Sequence, residues 1–321
     1  MKKSLLLFAC LAMTSISSFG ASLSSIMLQH NGSVTMYESD KMSAAIAAAE
    51  KGDTIYLSEG SFVGDFTINK EITIIGAGQL SIVQGNITIA LDNTPTLTAH
   101  LLDAIKVPSS YGVTVTKAVK NLKIRKCCLY QFNCNAAVTD LNMDRCNLIY
   151  FSPSTNVKSG NILNSYLSEL QYSSGMLNTI NFINCNIWRV NNYGCNFAGT
   201  FINCIINGYN SQSLFKNCSF INTAYPTTFS FDASSSRQNC YAGSFSFTSY
   251  TEEKTGVSYS TVDSDWLESN SYQGTDGTII GMFGGSIPYS LVPNVPTVTE
   301  SKVTVDTANK KLNVTLKVTA N

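Results

Sequence analysis

The sequence predicts an all-β fold, a single-stranded right-handed parallel β-helix of about 19–20 residues per coil with a short N-terminal capping helix and a C-terminal β-hairpin. Three observations predict it: an Asn-Cys motif that recurs along the chain, apolar rows at fixed offsets from that motif, and a charged fraction of only 13%. A fixed period indicates stacked repeats. The abundance of Ser, Thr, Asn, Tyr and Phe favours strands and turns over helices.

The repeat is anchored on a cysteine or its serine replacement, at intervals of 19, 19, 20, 19, 14 and 22 residues. Its members are Cys127, Cys146, Ser165, Cys185, Cys204, Cys218 and Cys240. We interpret this position as a small apolar residue stacked just inside a corner, because cysteine is among the most buried residue types. The alternative is a metal or redox role, but no Cys-x-x-Cys or clustered histidine accompanies the motif. No metal site and no cofactor are therefore predicted.

Apolar rows precede the first six anchors by three residues and follow them by two, and a third row follows the first five anchors by five residues. Side chains that point inward from one straight strand alternate with period two, so the offsets −3 and 0 require a bend residue between them. The residue before the anchor supplies that bend, because Asn tolerates the left-handed backbone region; Lys126 and Arg145 take its place in the first two repeats. The rows at +2 and +5 are also out of phase, which predicts a second corner. The three rows are Ile124, Met143, Ile162, Phe182, Phe201 and Phe215; Leu129, Leu148, Leu167, Ile187, Ile206 and Phe220; and Phe132, Phe151, Leu170, Val190 and Tyr209.

The same register predicts two pairs of opposite charge on adjacent coils. Arg125 and Asp144 share the offset −2, and Glu169 and Arg189 share the offset +4. Facing charges on neighbouring strands attract each other, so these pairs can be purely structural. Cys128, Cys134 and Cys195 lie off the ladder, and their pairing stays open.

The N-terminus reads as a secretory signal peptide over residues 1–20, with two lysines, a short apolar run and then small residues. A lipidated Cys10 is the alternative reading. Without Lys2 and Lys3 the chain has 19 basic and 21 acidic residues, which gives a net charge of about −2. This balance does not attract nucleic acid, and no later stretch is long and apolar enough for a transmembrane helix.

Residues 21–285 are predicted to form the β-helix and its N-terminal cap, and residues 286–321 a linker and hairpin. The cap is a helix with Met42, Ala45, Ile46 and Ala49 on one face, Ser39 and Asp40 as N-caps, and Gly52 as its stop. The first strand follows as "TIYL", and residues 90–120 read as a coil with a long excursion. Alternating apolar residues predict the C-terminal hairpin, and "GTDGT" is interpreted as a turn rather than a calcium site. The alternating residues are Val303, Val305, Leu312, Val314, Leu316 and Val318.

The stretches "AAIAAAEKGDTIYLSEGSF" and "FTINKEITIIGAG" resemble the opening of the pectate-lyase-like right-handed β-helix superfamily, and the Asn-Cys ladder resembles its stacked interior. The tail "GTDGTIIGMFGGSIPYSLVPNVPTV" resembles uncharacterised secreted β-helix proteins of Gram-negative gut bacteria. The resemblance implies a polysaccharide ligand. It also implies two reaction types for enzymes of the superfamily: elimination by an Arg or Lys base beside calcium carboxylates, and hydrolysis by clustered Asp residues.

No catalytic residue is predicted. Hydrolysis needs two carboxyl groups at a defined separation, yet Asp144 and Glu169 fall on different strands. The hydrolase signatures "NTD", "DD" and "GHG" are absent from the coils, as is the "DH" pair of pectate lyases. We expect His30 in a flexible N-terminal segment and His100 in the excursion, neither with a catalytic role.

The candidate ligand-binding residues are aromatic rings that we expect to face outward and hydrogen-bonding groups beside them, because rings in a row on a rigid ladder can stack on sugar rings. They are Tyr150, Tyr166, Glu169, Trp188, Arg189 and Tyr209. The alternative is that these rings turn inward or pack beneath loops. A line of exposed rings without carboxylates would favour a binding protein, and a carboxylate cluster with calcium would favour an enzyme.

The sequence therefore predicts an exported, non-catalytic, monomeric protein that binds a polysaccharide outside the cell, in the periplasm or on the outer surface. One alternative is a divergent polysaccharide lyase or glycoside hydrolase. Another is an adhesive or structural surface module with a protein partner.

Overall fold

The computed structural model describes residues 24–153, 155–172, 179–192, 199–208, 215–252, 256–292, 297–306 and 311–319. For the last two ranges, and for Tyr172 and Asn192, it describes the backbone only. The described chain is a parallel β-solenoid of about nine turns, as predicted. The signal peptide, Cys10, Cys195 and Tyr209 lie outside the described residues.

A β-hairpin and a helix close the N-terminal end of the solenoid. Strands β1 (Ser25–His30) and β2 (Ser33–Glu38) form the hairpin, and helix α1 spans Met42–Ala48. Strand β1 pairs antiparallel with β3 (Thr54–Leu57), so the open edge of the first coil is covered. The predicted helix and the first strand are confirmed, but the hairpin was not foreseen.

Two details of this cap differ from the prediction. The N-cap of α1 is Lys41 and no side chain caps the helix there, so the assignment of Ser39 and Asp40 as caps is wrong. His30 is an ordered part of β1, because its Nδ1 lies 2.9 Å from the carboxylate of buried Asp53. The expectation of a flexible segment there is therefore wrong. The hairpin satisfies backbone groups that the first coil would otherwise leave unpaired.

The coils form two long sheets with parallel strands. The first sheet continues from β3 with β6 (Thr73–Ile75), β9 (Leu102–Asp103), β13 (Lys123–Arg125), β16 (Leu141–Asp144), β18 (Ser159–Leu163), β20 (Thr179–Ile183), β22 (Gly199–Ile202), β24 (Ser219–Ile221) and β26 (Ser236–Gln238). The second sheet contains β4 (Gly60–Val63), β5 (Phe66–Ile68), β7 (Ser81–Gln84), β8 (Ile87–Ile89), β10 (Lys106–Val107), β11 (Val113–Val115), β14 (Cys128–Cys134), β17 (Asn147–Ser152), β19 (Tyr166–Tyr172), β21 (Asn186–Asn192), β23 (Ile205–Ile206), β25 (Ala224–Pro226) and β27 (Tyr241–Gly243). A third, short sheet pairs β12 (Val119–Lys120) with β15 (Val138–Thr139), and Gly78–Leu80 is a 3-10 turn.

The corner between the first and second sheets is confirmed. Every predicted bend residue has a positive φ, from 44° at Asn164 to 54° at Asn203, and Lys126 and Arg145 share it at 52°. The inward residues of the first sheet also stack, since the rings of Phe182, Phe201 and Phe220 lie parallel with centroids 5.0 and 4.9 Å apart. The predicted row is wrong at its last member, because Phe220 takes the place that was predicted for Phe215.

The second predicted corner takes two forms. In the first three coils it separates β4 from β5, β7 from β8 and β10 from β11. In β14, β17, β19 and β21 it is a bend inside one continuous strand. The first half of β14 pairs with β10 and its second half pairs with β11. Leu129 and Phe132 can therefore both point inward although they lie three residues apart.

The predicted ladder is wrong at one member, Cys218. Strand β24 pairs Phe220 with Phe201, which brings Thr223, not Cys218, beside Cys204. Asn217 has a φ of 54° but belongs to the corner that precedes the first sheet, where Asp140 has 58°. The true corner ladder has spacings of 19, 19, 20, 19, 19 and 17 residues. It consists of Cys127, Cys146, Ser165, Cys185, Cys204, Thr223 and Cys240.

The corner ladder also does more than fill space. The Sγ atom of Cys204 donates to the carbonyl oxygens of Phe182 and Ile202, both at 3.3 Å. The hydroxyl of Thr223 donates to the equivalent carbonyls of the next coil at 3.0 Å. The position therefore requires a small side chain with one donor hydrogen, rather than merely a small apolar one. Its thiols are free, and burial raises the pKa of Cys146 to about 12.

After β27 the chain turns back along the outside of the solenoid. It forms the hairpin β28 (Thr248–Thr251) and β29 (Ser258–Thr261) and the helix α2 (Ser264–Ser269). We call residues 256–292 the return segment. The predicted C-terminal hairpin follows as β30 (Thr297–Asp306) and β31 (Lys311–Thr319), with Val303 opposite Val314.

Buried asparagines at the corner hold the return segment. Asn203 exchanges hydrogen bonds with Thr275, accepting from its backbone N–H at 2.9 Å. Further along the segment, Asn186 Oδ1 accepts from Met282 N at 3.0 Å, and Asn164 Nδ2 donates to Gly284 O at 2.7 Å. Asn164 and Asn203 therefore set the backbone turn and also attach this segment, while Asn186 at the start of β21 provides a further attachment point. "GTDGT" is a turn, as predicted, in which Asp276 accepts from the backbone N–H and the hydroxyl of Thr278.

Candidate functional site

The outward side of β14, β17, β19 and β21 carries a column of polar side chains along the solenoid axis. Gln131 lies opposite Tyr150, Tyr150 opposite Glu169, and Glu169 opposite Arg189. Each step corresponds to one coil, about 4.8 Å. The parallel pairing of inward residues on the same strands fixes this alignment, because a slip of one residue would bring the column inside.

A second polar column runs beside the first. Asn133 lies opposite Ser152, and Gln171 lies opposite Asn191. We call the two columns together with Tyr130 and Trp188 the outer patch: Tyr130, Gln131, Asn133, Tyr150, Ser152, Glu169, Gln171, Trp188, Arg189 and Asn191.

Glu169 organises the middle of the outer patch. Its Oε2 accepts from Gln171 Nε2 at 2.8 Å and from Asn191 Nδ2 at 3.1 Å. Its Oε1 lies 3.7 Å from Nη1 of Arg189, so the predicted Glu169–Arg189 pair is confirmed. The Arg189 side chain is 53% exposed and the Glu169 side chain 22%. The carboxylate therefore fixes the amides around it, while the guanidinium faces solvent.

Two tyrosine rings form the aromatic part of the outer patch. Tyr130 and Tyr150 meet edge to face, with ring centroids 5.2 Å apart and an interplanar angle of 83°. Electrostatic interaction with Tyr130, followed in size by that with the Glu169 carboxylate, raises the pKa of Tyr150. Its phenol is therefore a neutral hydroxyl at neutral pH, able to donate and to accept hydrogen bonds.

Among the candidate rings that the structure describes, the predicted line of exposed rings does not form. Tyr166 is only 5% exposed, because it packs in an apolar cluster with Val257 and Met282 of the return segment. Trp188 is half-buried, with its ring 5.7 Å from that of Phe247 in an edge-to-face contact. Tyr166 is therefore wrong as a solvent-facing ligand residue, and the alternative that some rings pack beneath other segments holds for these two.

Several outer-patch residues escaped the sequence analysis, although the signal was present. Tyr130 has the same offset from its ladder residue as Trp188, namely +3, and Asn133, Ser152, Gln171 and Asn191 all share +6. The four residues at +6 carry no aromatic ring and so did not qualify as candidates, whereas Tyr130 carries one and was missed.

The other predicted charge pair is rearranged. Arg125 and Asp144 lie side by side in register. However, Arg125 binds buried Asp103 of the preceding coil, and Asp144 binds Arg145 at 2.5 Å. Asp103 escaped prediction because it lies within residues 90–120, which were read as an excursion, whereas the structure has the coil strands β9, β10 and β11 there.

The first sheet carries a groove of about 270 Å³ on its outer side. It is lined by uncharged residues without an aromatic ring: Thr179, Gly199, Thr200, Asn217, Cys218, Ser219, Ser234 and Ser236. Next to it, Asn142, Asn161 and Asn181 join through their side-chain amides at 3.3 and 3.0 Å. This amide ladder stabilises neighbouring coils, and the groove is lined by hydroxyl, amide, thiol and backbone groups.

Chemically, the outer patch can donate and accept hydrogen bonds and offer an apolar ring surface. Glu169 is its one carboxylate, whereas hydrolysis of a glycosidic bond uses two. Within the part of the chain that the structure describes, no group of three or more His, Cys, Asp or Glu side chains is arranged to hold a metal ion. No described helix has the length and apolarity to span a membrane.

Fold and surface together define a parallel β-solenoid with a polar and aromatic patch on one of its sheets. A scan against protein-family models and searches of curated proteins and of solved structures find no match.

Proposed function

We propose that this protein is exported and binds a polysaccharide outside the cell without cleaving it, through the outer patch. The observation that carries the proposal is the column of Gln131, Tyr150, Glu169 and Arg189 beside the ring of Tyr130. It combines apolar ring surface with side chains that both donate and accept hydrogen bonds, the two features that sugar rings and their hydroxyl groups can use.

The periodicity of the solenoid supports a polymeric ligand. A hydrogen-bonding side chain recurs in the column at every coil, about 4.8 Å along the axis, so an extended chain can meet a polar partner at successive residues. The resemblance of the N-terminal sequence to the pectate-lyase-like superfamily, whose members act on polysaccharides, supports the same class of ligand.

The proposal is tested by binding of the purified chain to a panel of soluble polysaccharides, measured by calorimetry. We expect Tyr150→Ala and Arg189→Ala each to weaken binding roughly tenfold, about 1.4 kcal/mol. Tyr250→Ala is the matched control, because Tyr250 is 37% exposed and also pairs with a second tyrosine, Tyr259. Equal loss in the control, or no binding to any polysaccharide, would contradict the proposal.

The same incubations test the non-catalytic part. Reducing ends and unsaturated ends should not accumulate over the time needed for binding. Their release would favour the divergent lyase or hydrolase instead, and failure to bind any glycan would favour an adhesive module with a protein partner.

A further inference from the structure

The outer patch is electrically balanced. Among its described residues, Glu169 contributes −1 and Arg189 +1, which sum to zero. A polymer with a carboxylate on every sugar would therefore gain no net attraction here.

The one cation of the outer patch is already engaged. Arg189 lies 3.7 Å from the Glu169 carboxylate, so an approaching uronate would have to compete with an anion that the protein holds in place. Two amides fix that anion, at 2.8 and 3.1 Å, which prevents it from turning away. Bringing a second carboxylate beside it costs repulsion between like charges.

The remaining polar groups suit hydroxyls better than carboxylates. An amide or a phenol donates and accepts, and so does each sugar hydroxyl, whereas an ionised carboxylate only accepts. Gln131, Asn133, Ser152 and Tyr150 are all of this two-way type. Gln131 Nε2 donates to Asn133 Oδ1 at 3.3 Å, so these two side chains already interact with each other. An ionised carboxylate could accept a hydrogen bond from an amide or a phenol but could not donate one in return.

From this balance we infer that the ligand of the outer patch is an uncharged polysaccharide, lying along the solenoid axis, and that the Glu169–Arg189 pair excludes polyuronates. This inference rests on the proposed function and specifies its ligand class.

The experiment compares neutral polymers with their carboxylated counterparts: a soluble glucan with its C6-oxidised form, a galactan with polygalacturonate, and a mannan with polymannuronate. We expect binding to at least one neutral polymer and weaker binding to its carboxylated partner. We also expect little change in affinity between low salt and ~1 M salt, where the Debye length falls to ~3 Å. Stronger binding to the carboxylated partner would overturn the inference and leave the proposed function standing. No binding to any of the six polymers would defeat both.

Glu169→Gln tests the charge pair itself. This variant keeps an acceptor oxygen for Gln171 and Asn191 but gives the outer patch a net charge of +1. We expect the ratio of affinities for the carboxylated and the neutral polymer to rise roughly fivefold, the effect of one charge pair at close range in water. Glu71→Gln is the matched control, because it removes one carboxylate from the Lys51–Glu71 ion pair, which does not belong to the outer patch. An unchanged ratio in Glu169→Gln, or an equal rise in the control, would overturn the inference.

Discussion

Ser165 offers the sharpest test of the corner ladder, because it stands where most coils have cysteine. Its side chain is fully buried. The hydroxyl donates to Leu163 O at 2.6 Å and accepts from the backbone N–H of Cys146 at 2.9 Å. If the ladder only filled space, Ser165→Ala would be harmless. If the ladder satisfies backbone groups, Ser165→Ala should be costly and Ser165→Cys should not.

The expected magnitude follows from which groups lose a partner. Leu163 O still accepts from Arg145 N at 2.9 Å, so that carbonyl stays satisfied. The N–H of Cys146 loses the hydroxyl oxygen that it binds. A buried donor without a partner costs about 1–3 kcal/mol, so we expect Ser165→Ala to lower the free energy of unfolding by that amount. A thiol restores a weak acceptor and a weak donor, so Ser165→Cys should lose less than about 1 kcal/mol.

Equilibrium unfolding in urea, followed by circular dichroism, measures both variants. Ser246→Ala provides the control, because Ser246 is exposed, and it should change stability by less than about 0.5 kcal/mol. The reasoning is refuted if Ser165→Ala is as stable as the wild type, or if Ser165→Cys is destabilised as much as Ser165→Ala.

Three further predictions concern the corner, a buried ion pair and pH. Asn203→Ala should destabilise the protein by about 1–2 kcal/mol more than Asn203→Gly in urea unfolding, because the φ of 54° strains the backbone of alanine but not that of glycine. Equal losses in the two variants would contradict this prediction. Asp103→Asn should lower the free energy of unfolding by about 3–5 kcal/mol in the same assay, because it removes the nearly buried carboxylate that pairs with Arg125. Asp92→Asn breaks the exposed Lys117–Asp92 pair and should lower the free energy of unfolding by less than about 1 kcal/mol. Similar losses in the two variants would contradict this prediction. Burial raises the pKa of Cys146 from 9.0 to about 12, so its stabilising effect is complete below pH 9.0 and is lost as the pH rises toward 12. The urea midpoint should fall across that window, and an unchanged midpoint would show that the thiol does not contribute.

The repeat could be predicted from the sequence because each of its features is local. A bend residue, an anchor and the apolar rows lie within a few residues of one another, so the first five ladder positions were correct. The pattern failed at Cys218 because the corner that precedes the first sheet also uses asparagine, as at Asn121, and the pair Asn217-Cys218 looks the same there as at the corner that follows the first sheet. Only the interval of 14 residues signalled the difference.

The candidate site was less predictable because its borders depend on distant contacts. The surroundings of Tyr166 are decided by the return segment, which docks through bonds such as Asn164 to Gly284, separated by 120 residues. Nothing near Tyr166 in the sequence encodes that contact. By contrast, Glu169 and Arg189 were placed correctly, since they follow from the repeat itself.

The return segment changes how the solenoid should come apart. In a simple array each coil touches only its neighbours, so the ends can fray one rung at a time. Here the return segment links early and late coils. The carbonyl oxygen of Gln273 accepts from the side chain of Asn222, and the carbonyl oxygen of Val292 accepts from the side chain of Lys126. Pulling one end should therefore meet resistance from the whole middle of the molecule and give an abrupt rupture instead of gradual peeling.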